Sequence, residues 1–353
     1  ETIRAFHRVP SRPSRNAMAR FQHPTEIVQL PEGLHPASVE VQRSFWTLTG
    51  HASMIERTPQ QAHGNFIDFC KSYVKPDAQW AIQYLQFNNE DDGRALARAI
   101  QNNHGVAAVS DGSFSPKDSY GTAAWIIQDE RTGSELTGRM IIPGQPKDLD
   151  AYRCELGGLY GITVIIDALC MYHSIKSGSI TKACDGDMAL KHATNEYDWI
   201  SPARPHFDLI AAIWSTNART PLKWESKHVK GHQDDCRTAL LDRWAHLNIR
   251  MDTQAKAHSR DTIGDSTRTL QQKISGEPWA LWIGDRKVVR KLREEVIHHV
   301  QGPPCTQYWD EKNRFAPGDS TAVDWKATAK AMKTVPHSRR IYVTKHSAGI
   351  CGV

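Results

Sequence analysis

The sequence predicts a mixed α/β fold, and three observations carry that prediction. Three short strand patterns, near residues 106–111, 121–127 and 136–142, follow one another with only turns between them. Helical and strand patterns then alternate up to about residue 258, the order of a mixed sheet covered by helices. Acidic residues stand where two of the strands end, at Asp111 and Asp185.

The elements can be justified in turn. Val106-Ala-Ala-Val-Ser-Asp111 is short, apolar and bounded by turn formers, so it reads as a buried strand. Gly121 to Ile127 and Leu136 to Ile142 complete an antiparallel meander, the first turn of which is made of Ser, Pro, Lys and Asp. Arg153 to Tyr172 is ambiguous locally, because Thr163-Val-Ile-Ile166 and several glycines favour a strand. Ile180 to Cys184 reads as a strand, Phe207 to Trp214 as an amphipathic helix, and Leu222 to Val229 as a strand. Leu240 to His258 is a helix, with Leu240, Trp244, Leu247, Met251 and Ala255 at helical spacing. The expectation is therefore a five-stranded mixed sheet with flanking helices, spanning residues 105–262.

The flanks differ from this centre. Residues 1–104 begin with Arg4, Arg8, Arg12, Arg15 and Arg20 broken by Pro10 and Pro13, a flexible or extended lead-in, and turn helical between Phe66 and Ile100. Residues 263–353 form a basic extension, in which Asp285 to His299 reads as one helix carrying Arg286, Lys287, Arg290, Lys291 and Arg293. Asp324 to Lys333 reads as a second helix, and Ser338 to Lys345 as a strand. Lys and Arg against Asp and Glu number 11 and 10 in residues 1–104, 18 and 20 in 105–262, and 15 and 9 in 263–353. The centre is thus slightly acidic, as a cation site would make it, and the tail suits a phosphate backbone.

No run of eighteen apolar residues occurs, so no membrane span is expected. The seven cysteines (Cys70, Cys154, Cys170, Cys184, Cys236, Cys305 and Cys351) are odd in number and form no Cys-x-x-Cys pair, and there is no Asn-x-Ser/Thr acceptor. Reduced thiols and an intracellular setting, cytoplasmic or nuclear, are expected. The chain starts at Glu1 without a leader pattern and is read as a fragment or a processed product.

Five short segments carry the chemistry. They are Val109-Ser-Asp111-Gly-Ser113, Tyr152-Arg-Cys-Glu155-Leu, Lys182-Ala-Cys-Asp185-Gly, Val229-Lys-Gly-His232 and Asn248-Ile-Arg-Met-Asp252. Their order and contexts resemble the type 1 ribonuclease H family over roughly the middle 160 residues. In that family the first acid ends a Thr/Ser-Asp-Gly-Ser strand, the second sits in an Arg/Asn-x-Glu-Leu helix, and the third ends a strand before a small residue. The last acid follows an Asn by four residues on the final helix, and a mobile histidine sits in a Lys-Gly-His loop.

The resemblance implies an endoribonuclease that hydrolyses the RNA strand of RNA·DNA hybrids with two Mg²⁺ ions, for which Mn²⁺ can substitute. Two such ions, about 3.5–4 Å apart, would activate water, neutralise the transition state and stabilise the leaving alkoxide. Magnesium prefers oxygen ligands, which suits Asp111 as the bridging acid, Glu155 and Asp185 on one side and Asp252 on the other. Four such carboxylates repel one another without metal and titrate as a coupled set. His232 becomes a candidate proton shuttle or product-release aid. Gly112 and Ser113 are expected to let the hybrid backbone approach, and Asn248 either contacts substrate or caps and packs. RNA would be told from DNA by its 2′-hydroxyls in the minor groove.

Neighbouring choices remain open. Asp187 competes with Asp185, which is favoured because it ends the strand. His228 competes with His232 but falls inside a strand, where a structural role is expected. Asp234 and Asp235, in a longer than usual loop before Asn248, either influence the metal site or are solvated. Some family members insert a basic, aromatic protrusion after the third acid's helix; here Glu196 to Phe207 holds Trp199 and Arg204 but no such cluster.

The context resembles the ribonuclease H region of a retroelement polyprotein, with a reverse transcriptase domain as partner. An inactive tethering module of the same fold is the main alternative, and the presence of all four acids argues against it. An integrase or transposase would end on a Glu and lack the Lys-Gly-His loop.

Overall fold

The computed structural model describes residues 3–6, 39–42, 47–50, 64–88, 91–194, 204–231, 233, 241–264, 274, 280–284, 286–311 and 323–347. The chain divides into two compact units, residues 1–63 and 64–353. In the first, β1 (Ile3–Phe6), β2 (Val39–Gln42) and β3 (Thr47–Gly50) form an antiparallel sheet in the order β1-β3-β2. Strand β1 lies inside the expected Arg/Pro-rich lead-in; residues 7–38 fall outside the described residues.

The second unit opens with α1 (Phe66–Tyr73), a 3₁₀ segment (Pro76–Ile82), β4 (Tyr84–Phe87) and α2 (Arg94–Gln101). The meander follows as β5 (Ala107–Ser115), β6 (Tyr120–Gln128) and β7 (Glu135–Ile141). Helix α3 (Ala151–Tyr172), β8 (Ser179–Cys184), α4 (Asp187–Thr194), α5 (Phe207–Arg219), β9 (Lys223–His228) and α6 (Arg243–Thr262) complete the alternation. The sheet order is β4-β7-β6-β5-β8-β9, antiparallel through the meander and parallel from β5 to β9. This is the mixed α/β arrangement that the sequence predicts, corrected from five strands to six. The added strand, β4, is only four residues long and lies in a stretch whose sequence reads as helical; pairing with β7 at Tyr84↔Arg139 through Phe87↔Leu136 makes it extended.

Alternation along β5 assigns its two faces. Ala107 and Val109 pack with Leu247, Met251 and Ala255 of α6 in a small core, whereas Ala108 joins the large core under α3 and α5. Each face of the sheet is therefore covered by helix, and β5 ends between the two layers.

Helix α3 settles the ambiguity of residues 153–172. Its strand-favouring Thr163-Val-Ile-Ile166 is helical because the helix is buried on nearly every side, and tertiary burial outweighs propensity. Its glycines serve close packing. A Cβ on Gly161 would fall 2.6 Å from the Trp125 indole nitrogen, and one on Gly138 of β7 2.3 Å from the same ring, so both glycines make room for that buried indole. By length and composition α3 is apolar enough to cross a membrane, but 94% of its apolar window is buried within the protein, as befits a core helix.

The C-terminal flank departs from expectation twice. Residues 285–299 are not one helix: β10 (Leu281–Ile283) and β11 (Arg286–Val288) form a hairpin, and α7 (Leu292–Glu311) starts after it. The reason is that Lys287, Val288 and Val289 are buried against the domain instead of lying on a solvated helix face. Lys287 donates to Asp208 of α5 at 3.2 Å, and the Val289 carbonyl accepts from the His206 amide at 2.7 Å. Helix α8 (Trp325–Thr334) matches expectation, but residues 338–345 lie in a helix, α9 (His337–Ser347), not a strand. Ile341, Tyr342 and Val343 are exposed, with no sheet edge paired to them, so β propensity has nothing to act through.

Candidate active site

Strand register places the first and third acids level. Strands β5 and β8 run parallel with Val109 opposite Ala183, so two residues further on Asp111 stands level with Asp185, just past the end of β8. Asp111 lies on the α6 side of β5, where its carboxyl meets that of Asp252 of that helix. Gly112 lies on the other side, beneath α3. Its amide donates to Asp111 Oδ1 at 2.9 Å and to Glu155 Oε1 at 3.2 Å, so one N–H orients two carboxylates. A Cβ on Gly112 would sit 2.5 Å from the Glu155 backbone nitrogen; the missing side chain is what lets α3 bring Glu155 this close. Four carboxylates from four elements thus converge where β5 ends.

Their electrostatics follow from burial and crowding. Burial raises the Asp111 carboxyl far above the usual range, and Glu155, Asp185 and Asp252 each push it further. Glu155 is raised first by burial and then by Asp185, against hydrogen bonds from Cys184 and Gly112 that favour its charged form. On the outer side, Lys256 Nζ donates to Asp252 Oδ2 at 2.7 Å.

Cys184 is a member of the site that sequence reasoning missed. Its thiol, fully buried, donates to Glu155 Oε2 at 3.0 Å. Burial first, and the Glu155 charge second, hold this thiol protonated well beyond the ordinary range. Glu155, Cys184 and Asp185 each offer a ligand atom within 4.8 Å of the others. The signal was present in Lys182-Ala-Cys-Asp185: alternation along β8 turns Cys184 towards the α3 layer and Glu155.

The remaining predicted residues fall as follows. Asp187 begins α4, exposed, and its carboxylate is held by Lys191 at 2.7 Å, which leaves Asp185 as the acid that meets Glu155. His228 ends β9 opposite Cys184, its side chain exposed and its Nε2 3.0 Å from the Asp185 carbonyl oxygen. Ser113 follows Gly112, half-buried. Asn248 is buried one helical turn before Asp252, and its Oδ1 has no hydrogen-bond partner among the described residues. His232, Asp234 and Asp235 lie outside the described residues, as does Trp199. Gly231, just before His232, is described: a Cβ there would fall 2.5 Å from Asp185 Oδ2, so the Lys-Gly-His loop passes directly against the third acid.

A second set of charges begins two residues before Glu155. Arg153, fully buried, grips Asp208 with two hydrogen bonds of 3.0 and 3.1 Å, and Lys287 reaches the same carboxylate. Burial alone would raise Asp208, but Arg153 and Lys287 hold it far below the carboxylate range. Asp150, the N-cap of α3, accepts from the Arg153 amide at 2.9 Å, from Arg290 at 2.7 Å, and is bonded to the His206 ring at 3.0 Å. Arg286 joins Asp148 at 3.2 Å and also pairs with Glu295. The first turn of the helix that carries Glu155 is therefore fastened by side chains of residues 286–290.

The carboxylate cluster fits divalent cations by its donor chemistry: oxygen ligands, crowded, buried and short of positive charge. No family model and no curated protein matches this chain. Among solved structures, it is similar to RNase H1 from the halophilic archaeon Halobacterium salinarum NRC-1, at 16% identity and a TM-score of 0.29, over 44% of this chain and 98% of that one. It is also similar to the N-terminal RNase H domain of Rv2228c from Mycobacterium tuberculosis, solved as a fusion with maltose-binding protein, at 11% identity and a TM-score of 0.27, over 43% of this chain and 99% of that one.

Proposed function

We propose that this chain is an endoribonuclease that hydrolyses the RNA strand of RNA·DNA hybrids. The observation that carries the reading is the convergence of Asp111, Glu155, Asp185 and Asp252 at the end of β5, with the innermost carboxyls driven up by burial first and by mutual repulsion second. Asp111, Glu155, Asp185 and Asp252 would hold Mg²⁺, or Mn²⁺ in its place. When bound, two such ions supply an activated water and neutralise charge on the reacting phosphate. The chain's own groups prepare that site. The Gly112 amide aims Asp111 and Glu155, the Cys184 thiol fixes the second oxygen of Glu155, and Lys256 fixes one oxygen of Asp252. His232 is the proposed proton carrier, on a loop whose preceding residue touches Asp185.

We extend the proposal to context. The hybrid would be supplied by a reverse transcriptase domain of a retroelement polyprotein, since that reaction makes the hybrid this site would consume. The setting is intracellular, supported by four cysteines that are free and buried. The test is incubation with labelled hybrid in Mg²⁺, beside single-stranded RNA, duplex RNA and duplex DNA, with Asp111→Asn as control. Cutting of hybrid RNA alone, lost in the variant, is the expected result. No cutting by a folded protein in Mg²⁺ or Mn²⁺ would sink the proposal, and cutting of duplex DNA would reassign the substrate.

A further inference from the structure

The last 29 residues of the chain, 325–353, contain Lys326, Lys330, Lys333, Arg339, Arg340 and Lys345 and no Asp or Glu at all. Helices α8 and α9 hold all six, joined by the two residues Val335 and Pro336. The turn is tied by the Arg340 amide donating to the Pro336 carbonyl at 2.9 Å and by Arg340 Nη2 donating to the Val335 carbonyl at 3.2 Å. Asp324 caps α8 by accepting from the Ala327 amide at 2.9 Å. The pair of helices is thus built from local bonds, and its charge is of one sign.

Spacing concentrates that charge. Lys330 and Lys333 stand at i and i+3, on one face of α8, within roughly 5 Å of helix axis. Lys330, Lys333 and Arg339 are all exposed. Like charges one turn apart destabilise a helix, so this face gains from a partner that presents repeated negative charge. Tyr342, three residues after Arg339 on α9, is 61% exposed.

We propose that α8 and α9 form a nucleic-acid-binding surface, separate from the carboxylate cluster, in which Lys330, Lys333 and Arg339 grip phosphates and Tyr342 stacks on an unpaired base. A membrane surface fits less well. An interfacial helix needs a stripe of large apolar residues, and α8 has only Trp325 and Met332 beside Ala327, Ala329 and Ala331, while Ile341, Tyr342 and Val343 are consecutive and so spread around α9. Phosphate grip with one stacking ring matches the way single strands and backbones are held without sequence preference. The surface deepens the nuclease reading, because an enzyme whose substrate is a hybrid gains from a second hold on the same backbone.

The test uses the full chain in Ca²⁺ without Mg²⁺, so that binding is read without cleavage. Dissociation constants for labelled hybrid, single-stranded RNA and duplex DNA are measured between about 50 and 200 mM salt. Changing Lys330, Lys333 and Arg339 together to Gln is expected to flatten the logarithmic salt slope by roughly 2 to 3 and to weaken binding at least tenfold. Tyr342→Ala is expected to weaken single-stranded RNA by about 5-fold or more and the duplexes little. Circular dichroism of each variant should match the parent, since the changed side chains are exposed. Unchanged slope and affinity in the triple variant overturn the proposal, as does a loss confined to phosphatidylserine vesicles. A parent chain that binds in this way yet cuts no hybrid in Mg²⁺ would sink the nuclease reading and leave this surface standing.

Discussion

Two neighbouring residues of one helix, Arg153 and Glu155, face opposite electrostatic problems. At the N-terminus of α3, Arg153 is buried with Asp208 and Lys287, and every charge there has a partner of the other sign. Two residues later Glu155 is buried among Asp111 and Asp185, and the neighbouring charges share its sign. Balanced charge at the first place gives the fixed position; unbalanced charge at the second is what the proposed cation would offset. One region spends interactions on rigidity, and the other withholds them for a ligand, a division that recurs where perturbed carboxyls mark function.

The comparison can be broken most forcefully at Asp208. Asp208→Ala removes the carboxylate shared by two buried cations, Arg153 and Lys287, and is expected to cost about 3–5 kcal/mol in urea unfolding. A loss below about 1 kcal/mol would mean that the charges escape to water. The pH dependence has a definite sign. Asp208 is held below its unfolded value near 4, so its contribution is present at neutral pH and is lost as pH falls through the acid range towards the folded value.

Removing a carboxyl should act in reverse at the carboxylate cluster. Asp111→Asn removes a carboxyl whose ionisation burial and crowding suppress in the fold, so without divalent cations it is expected to stabilise the fold at pH 7.5 by roughly 2 kcal/mol. Because Asp111 is raised in the folded state, the parent's penalty exists above the unfolded value near 4 and fades as pH falls towards it. The gain should therefore shrink between pH 7.5 and 4, measured as the difference in Tm of the two proteins. Saturating Mg²⁺ should raise the Tm of the parent and leave the variant nearly unmoved.

Smaller changes sharpen the picture. Cys184→Ala deletes the donor to Glu155 Oε2 and is expected to cost about 1 kcal/mol by thermal unfolding while weakening Mn²⁺ binding. Lys256→Ala removes a half-exposed pair with Asp252, and its stability effect should stay below about 0.5 kcal/mol.

What the sequence disclosed about these regions depended on distance along the chain. The strand ends and the four acids were legible because each sits in a short local pattern, such as Val109-Ser-Asp111-Gly. The meander and the alternation after it were legible for the same reason. Helix α3 was ambiguous because its burial on all sides masks the period, and Thr163-Val-Ile-Ile166 then speaks only for propensity. Strand β4 is too short to declare itself and is made extended by β7. The hairpin of residues 281–288 was hidden by its own charges: Arg286 and Lys287 read as solvated helix, yet Lys287 is 1% exposed because Asp208 lies across the fold from it. Cys184 stands in the same short segment as Asp185, but only pairing with α3 gives a thiol there a carboxylate to hold.

The fastening of α3 by residues 286–290 also orders events during synthesis. A nascent chain exposes Asp150, Arg153 and Asp208 well before Lys287 and Arg290 leave the ribosome, and domains assemble from the N-terminal side as they emerge. Until then Asp208 has Arg153 alone, and Asp150 lacks its bond to Arg290. The helix bearing Glu155 reaches its final anchorage only after translation has passed residue 290, so the site is among the last parts of this unit to mature.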